Sequence, residues 1–286
     1  MVSAHCRHGE PFVGSESVAA GLLTPYQLRS TCLAIHRDVY LPRGSDLTAV
    51  TRARAAWLWS GRAGIVAGQS AAALHGAKWV DDGAPAQLLY PNRRPPEGIT
   101  TWSDRFEDDE TSLVDGVRVT TPARSALDIA CRYPRGLAVA AIDSLARATK
   151  LKVADVELLA ERYRGRRGIR AAVDVLALVD AGAESPQETR VRLVLIAAGF
   201  PRPETQIPVY DEWGQLVAVL DMGWRDVKVG VDYEGKHHLM TRSQFARDIR
   251  RHADVTELGW DDVRITAEDG DGAIIGRVGR ARDRRT

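Results

Sequence analysis

Leu216-Val217-Ala218-Val219-Leu220-Asp221-Met222-Gly223-Trp224-Arg225-Asp226-Val227-Lys228-Val229-Gly230-Val231-Asp232-Tyr233-Glu234-Gly235-Lys236-His237-His238 is the stretch on which the reading of this chain turns. Its apolar runs, Leu216 to Leu220 and Val227 to Val231, read as two buried strands, with Arg225-Asp226 as a tight turn between them. Such a hairpin brings Asp221 opposite Asp232. Carboxylates at the buried end of a strand cost free energy unless a partner compensates them, and a divalent cation is the usual partner.

The flanking sequence extends this pattern into an α/β layer. Ser185-Pro186-Gln187-Glu188 starts a helix that Gly199 ends, and Pro201 and Pro203 enforce an extended connection. Strands are expected from Ile207 to Tyr210 and Leu216 to Met222, around a turn at Glu212-Trp213-Gly214. A charged amphipathic helix follows from Ser243 to Leu258, then a strand from Asp262 to Thr266. Arg277 to Arg285 reads as a final helix or a disordered basic end. The order helix, strand, strand, strand, helix, strand defines a segment from 183 to 286.

Upstream, residues 48–182 form a longer α/β segment. Thr48 caps a helix through Trp59, Gln69 to His75 reads as a short helix closed by Gly76, and Thr121-Pro122-Ala123-Arg124 opens another to about Cys131. Ala86 to Tyr90 and Gly116 to Thr120 read as strands. Helices are expected at about 136–148, 153–163 and 168–181, the last two parted by Arg164-Gly165-Arg166-Arg167-Gly168. Residues 1–47 form a small unit in which Thr24-Pro25-Tyr26-Gln27 starts a helix and Ile35 to Gly44 alternates toward a turn. Helix, linker and basic ribbon describe a winged helix, or a plain helix-hairpin cap.

Bulk properties narrow the classes. The 286 residues suit two or three domains. A net charge of +1 excludes a globally basic nucleic-acid coat but not local basic patches. Cys6, Cys32 and Cys131 form no metal pair and no disulfide framework, which fits a reducing cytosol. No apolar signal core follows Met1 and no run is long enough for a membrane span, so a cytoplasmic protein is expected.

Phosphodiester hydrolysis by a metal nuclease needs carboxylates that hold Mg²⁺ (or Mn²⁺) and a lysine or histidine beside the phosphate. Asp221, Asp232, Glu234, Lys236 and His238 supply those types, and Asp232 and Glu234 share one strand face. Each also has a plain structural reading. Asp221 and Asp232 can bind backbone N–H groups at a strand end, while Lys236 and His238 can be ordinary loop residues. Glu188 fits a capping box with Ser185, or joins Asp221 and Asp232 around a metal. Asp248 and Arg251 share a helix face: Asp248 can support the site, and Arg251 can contact it or a DNA phosphate. The pair His237-His238 lacks further zinc ligands at suitable spacing.

With those residues in view, 185–266 resembles the very-short-patch-repair-like branch of the PD-(D/E)xK nuclease superfamily. The matching positions are Glu188, Asp221, Asp232-Tyr233-Glu234-Gly235-Lys236-His237-His238 and Asp248-Ile249-Arg250-Arg251. The branch's usual Glu-x-Asp stands here reversed, as Asp232-x-Glu234. The resemblance implies a restriction-endonuclease-like α/β core and a Mg²⁺ site. The front of the chain is similar to AbiEi-type antitoxins of type IV toxin–antitoxin systems. This rests on Leu23-Thr24-Pro25-Tyr26-Gln27-Leu28, Arg37-Asp38-Val39-Tyr40, Ser70-Ala71-Ala72-Ala73-Leu74-His75-Gly76 and Val119-Thr120-Thr121-Pro122-Ala123-Arg124. That resemblance implies an N-terminal winged helix on operator DNA, with Arg29, His36, Arg37 and Arg43 as DNA contacts, and a nucleotidyltransferase-like toxin as partner.

The leading expectation is a Mg²⁺-dependent DNA endonuclease or nicking enzyme with a DNA-binding front end. The alternative is an antitoxin-like DNA-binding transcriptional regulator whose nuclease-type domain does not cleave.

Overall fold

The computed structural model describes residues 9–235 and 242–285, with side chains described except at 242–249. The described residues form a mixed α/β structure with three sheets and fall into two compact units. One holds the residues up to Tyr133 together with Ala148–Ala177; the other holds Pro134–Arg147 and everything from Leu178 onward. Among the described residues, no helix is long and apolar enough to cross a membrane.

The first unit begins with β1 (Phe12–Val13), α1 (Gly14–Ala19), α2 (Pro25–Thr31), β2 (Cys32–His36) and β3 (Val39–Pro42). Helix α2 starts where its residues dictate. Thr24 and Gln27 form a reciprocal capping box, the Gln27 N–H donating to Thr24 Oγ1 at 3.2 Å and the Thr24 N–H to Gln27 Oε1 at 2.8 Å. Leu23, Leu28 and Cys32 form a small core with Phe12, Val18 and Tyr40 against it. The expected single ribbon from Ile35 to Gly44 is instead a hairpin starting at Cys32, because Asp38 takes a left-handed φ of 60° and turns the chain. Its carboxylate accepts the Ser15 N–H at 2.9 Å, which ties the turn to the start of α1. Strand β1, which the sequence reading did not anticipate, pairs antiparallel with β3 and completes a sheet in the order β1-β3-β2.

Beyond it come α3 (Ala49–Trp59), β4 (Ile65–Val66), α4 (Gly68–Leu74), β5 (Ala86–Leu89), β6 (Ile99–Trp102), β7 (Thr111–Val114), β8 (Val117–Thr120) and α5 (Pro122–Arg132). The five strands lie in the order β6-β5-β4-β8-β7. Small residues on α3 and α4 (Ala53, Ala56, Ala71) let both helices sit close to Val66, Leu88 and Val119 of the sheet. Strands β4, β6 and β7 were not expected; β4 is two residues long and leaves no period-2 signal.

Helix α6 (Arg135–Thr149) follows, and Pro134–Arg147, which includes most of it, groups with the second unit. Then come α7 (Val153–Arg162) and α8 (Ile169–Leu176) in the first unit. Helix α8 ends earlier than the expected 181. The Leu178 carbonyl accepts Arg192 Nη1 at 2.6 Å and the Asp180 N–H donates to Asp143 Oδ1 at 2.7 Å. These bonds draw the chain out of helical geometry.

The second unit continues with α9 (Pro186–Ala197), β9 (Glu204–Tyr210), β10 (Leu216–Trp224), β11 (Val229–Glu234), α10 (Arg242–Glu257), β12 (Asp261–Thr266) and α11 (Asp271–Asp283). The sheet order is β12-β11-β10-β9; β11 and β12 run parallel and the other neighbours antiparallel. One apolar cluster joins Val191 and Leu195 of α9 and Ile274 and Val278 of α11 to Met222, Val231 and Ile265 of the sheet. A second joins Val255 of α10 to Ile207, Val209 and Leu220. The basic tail is therefore a helix, and its first turn lies ahead of Arg277, because Ile274, Val278 and Ala281 recur at helical spacing and are buried.

Gly168 stands before α8 with φ 86°, and a Cβ there would run into the Cys131 carbonyl oxygen. Gly168→Ala is expected to destabilise the first unit by on the order of 2 kcal/mol, combining left-handed strain with a backbone clash. Urea denaturation followed by far-UV circular dichroism checks it, and an unchanged midpoint contradicts it.

Candidate functional site

The central hairpin pairs Met222 with Val231, Gly223 with Gly230 and Trp224 with Val229, and stops there. One step further the strands part, and Asp221 and Asp232 stand across the gap. The Asp221 N–H donates to Asp232 Oδ1 at 2.9 Å, and the Tyr233 N–H donates to Asp221 Oδ2 at 2.7 Å. Each carboxylate thus accepts an amide of the other strand. Without these bonds, two largely buried N–H groups would lack acceptors, at about 1–3 kcal/mol each. Gly223 allows the geometry: its φ of 157° and the proximity of the Val229 carbonyl leave no room for a side chain.

Around this fork sit the cationic partners. Arg251 on α10 donates through Nη2 to Asp232 Oδ2 at 2.6 Å and to the Val219 carbonyl at 2.9 Å. Arg264 on β12 donates to Glu234 Oε1 at 2.6 Å. Asp262, two residues back on the same strand, holds His252 Nδ1 at 3.1 Å. The sequence reading passed over Asp262 and Arg264. Alternation in Asp261-Asp262-Val263-Arg264-Ile265 was the available signal, since it puts both on the face opposite the buried Val263 and Ile265.

Electrostatics at the fork are unbalanced toward negative charge. Burial, then the neighbouring Asp232 and Glu188, push the Asp221 carboxyl up to about 7, although the Tyr233 amide and Arg251 oppose this. Asp232 is pushed to about 6, again first by burial and then by Asp262.

Glu188 lies at the start of α9, 7% exposed. Its Oε1 accepts the Ser185 hydroxyl and its Oε2 the Glu184 N–H, both at 2.8 Å, so the capping role is present. Burial raises its carboxyl above the usual range. Helix α9 is held in place by Arg192, fully buried, whose Nη2 donates to Asp143 Oδ2 of α6 at 2.7 Å. Thr189 adds its hydroxyl to the same oxygen at 2.8 Å.

Lys236 and His238 lie outside the described residues, and Asp248 sits on α10 in the part whose side chains are not described. The structure brings Asp221 and Asp232 together. It puts Glu188 near enough to Asp221 to act on its charge and turns Glu234 to Arg264. Magnesium demands near-octahedral oxygens free to coordinate. Here both Asp232 oxygens and both Glu188 oxygens already accept N–H or O–H donors, and Arg251 occupies the position of a cation beside Asp232. Among the described residues, no group of three or more His, Cys, Asp or Glu is arranged to hold a metal ion. As they stand, the described residues do not fit a divalent metal.

The basic residues of the first unit are placed differently. Arg29 projects from α2, Arg37 from the tip of the β2–β3 hairpin and Arg43 from its far end, all exposed. Among the described residues, none of the three guanidinium groups has an acidic partner. His36 is partly buried, and burial followed by the charge of Arg52 holds it below its usual value.

Residues 62–180 match the AbiEi antitoxin C-terminal domain. Uncharacterized proteins from two strains of Mycobacterium tuberculosis are each 31% identical over 218 residues, covering 75% of this chain and 80% of the relative. No solved structure matches the chain. With that identity over most of its length, the chain belongs to the family of these mycobacterial proteins, and its residues 62–180 are similar to the AbiEi antitoxin C-terminal domain.

Proposed function

We propose that the chain is an antitoxin-like DNA-binding regulator, with α2 and the β2–β3 hairpin acting as a winged helix on operator DNA. In this reading the AbiEi-like segment engages a nucleotidyltransferase-like toxin, and the nuclease-type layer does not cleave. One observation carries the proposal: Arg29, Arg37 and Arg43 are exposed on one small unit and, among the described residues, have no acidic partner. Guanidinium groups left open in this way suit phosphate oxygens, which dominate affinity for duplex DNA. Tyr26, 73% exposed on α2, adds a flat contact surface beside them. The carboxylates of the second unit, by contrast, are matched to amides and to Arg251 within the protein.

Arg29→Ala and Arg37→Ala are each expected to weaken binding to promoter DNA from the protein's own gene and to lower the salt slope of log K by about one. Fluorescence anisotropy over a salt series measures both. Slopes equal to wild type in both variants sink the proposal.

A second reading, Mg²⁺-dependent cleavage of DNA, is favoured by the raised Asp221 carboxyl: burial raises it most, and the Asp232 and Glu188 charges that raise it further are what a cation would relieve. It requires Arg251 to leave Asp232. The two readings part on stability. A carboxyl at about 7 in the folded chain, against the usual 3.8, is protonated in both states below about pH 4. Between about pH 4 and 7 the unfolded chain gives up its proton first, so stability falls across that window and levels off above it. Asp221→Asn is expected to flatten the fall and to be more stable than wild type at pH 8. Urea titrations at pH 5 and pH 8 show this. Under the regulator reading, Mg²⁺ leaves the wild-type midpoint at pH 8 unchanged and a supercoiled plasmid stays intact. Metal stabilisation of wild type but not of Asp221→Asn, together with nicking, replaces the first reading with the second.

A further inference from the structure

Arg124 closes the Val119 to Arg124 motif, yet nothing in the regulator reading uses it. It is fully buried on α5 and belongs to a polar network in the first unit. Its Nη1 donates to Glu110 and, at 3.1 Å, to the Tyr163 hydroxyl; its Nε donates to Asp128 Oδ1 at 3.1 Å. Arg166, its side chain 9% exposed, donates through Nη2 to the same Asp128 oxygen at 2.6 Å. Tyr163 donates to Glu110 at 2.7 Å, and burial and that bond push its hydroxyl up to about 12, so it remains a donor.

The network leaves donors over. Arg124 Nη2 and both Nε and Nη1 of Arg166 are buried without an acceptor, against a single open acceptor atom, Asp128 Oδ2. Native interiors rarely leave charged donors in this state, because each lost bond costs about 1–3 kcal/mol or more. Both arginines border a cavity of about 290 Å³. Arg105 and Arg162 line it too, with Asp104 as its acidic lining residue, and Arg162 holds Asp109 at 2.7 Å. Asp104 already holds Arg132. Arg105 is 73% exposed along its side chain and meets only Glu107, at 3.7 Å, among the described acids. The space thus has unfilled guanidinium N–H groups and room for a small oxyanion with an organic substituent.

The geometry points to an anion site between α5 and the segment after α7, taking the phosphoryl group of inorganic phosphate or of a nucleoside monophosphate. A tetrahedral dianion offers several acceptor oxygens, which is the complement of the surplus guanidinium N–H groups. A water molecule could use Asp128 Oδ2 and one donor, but it would leave the remaining buried N–H groups without acceptors.

Isothermal titration calorimetry on the full chain, with inorganic phosphate and separately with GMP in chloride matched for ionic strength, tests this. Saturable one-site binding of at least one of them is expected. Arg166→Lys keeps the charge but removes the forked N–H groups, and is expected to weaken binding about tenfold or more. Arg105→Gln, at an exposed position that leaves the fold intact, is expected to weaken it by a smaller factor. Tighter binding of GMP than of phosphate assigns the site to the monoester; equal or weaker binding assigns it to the free ion. The inference is overturned if neither titrant binds wild type, or if affinities are the same in wild type and in the folded variants.

Discussion

Two backbone amides, those of Asp221 and Tyr233, govern the second unit. They sit, partly buried, where β10 and β11 stop pairing, and each is accepted by the aspartate of the opposite strand. The strands can part at that point only because the carboxylates replace the ladder. Once parted, they create the slot into which Arg251 reaches from α10, and its bond to the Val219 carbonyl fastens the helix to β10 as well as to Asp232. The position of α10, the raised Asp221 and Asp232 carboxyls and the turning of Glu234 toward Arg264 all follow from this fork. Replacing either aspartate therefore changes a structural joint as well as a charge.

Much of this was legible in the sequence. Apolar runs on either side of Arg225-Asp226 foretold the hairpin and the meeting of Asp221 with Asp232, because a period of two and a short turn leave few alternatives. Caps were equally plain: Thr24 and Gln27 form the expected reciprocal box, and Ser185 caps α9 by accepting the Glu188 N–H, while the Glu188 carboxylate takes the Glu184 N–H and the Ser185 hydroxyl. What could not be read was the use made of the oxygens. Whether a strand-end carboxylate meets a cation or an amide depends on how sharply the strands diverge, and here that is set by Gly223 against the Val229 carbonyl, a tertiary detail. Arg124 shows the same limit from the other side. Its motif was visible, but Glu110 and Tyr163 lie 14 and 39 residues away, so no local pattern announced a buried network.

The two units solve the burial of charge with opposite remainders. At the fork, the carboxylates have partners, but burial, helped by Asp232 and Glu188, pushes the Asp221 carboxyl up to about 7. Around Arg124, guanidinium N–H groups outnumber acceptors, and the surplus appears as open donors beside a cavity. Neither arrangement is best explained as a device for stability, since buried ion pairs seldom gain more than they lose in desolvation. Apolar residues of similar volume would serve the core at least as well. An unfilled remainder is better understood as capacity for a further partner: a proton in one unit, an oxyanion in the other.

Arg251 decides how far the second unit can take part in contacts with DNA. Its Nη2 is committed to two acceptors, Asp232 Oδ2 and the Val219 carbonyl. A phosphate that recruited this group would have to replace both, and would leave Asp232 facing Asp262 and the approaching phosphate with less positive charge nearby. That rearrangement is unfavourable on both counts. The exposed arginines of the first unit give up no such bonds among the described residues, so phosphate contact costs them only side-chain ordering and water. With a net charge of only +1, the chain has no diffuse attraction to supplement local contacts. Under the regulator reading, attraction to DNA comes from places where positive charge is open and uncommitted, and α2 with its hairpin meets that condition while the carboxylate fork does not.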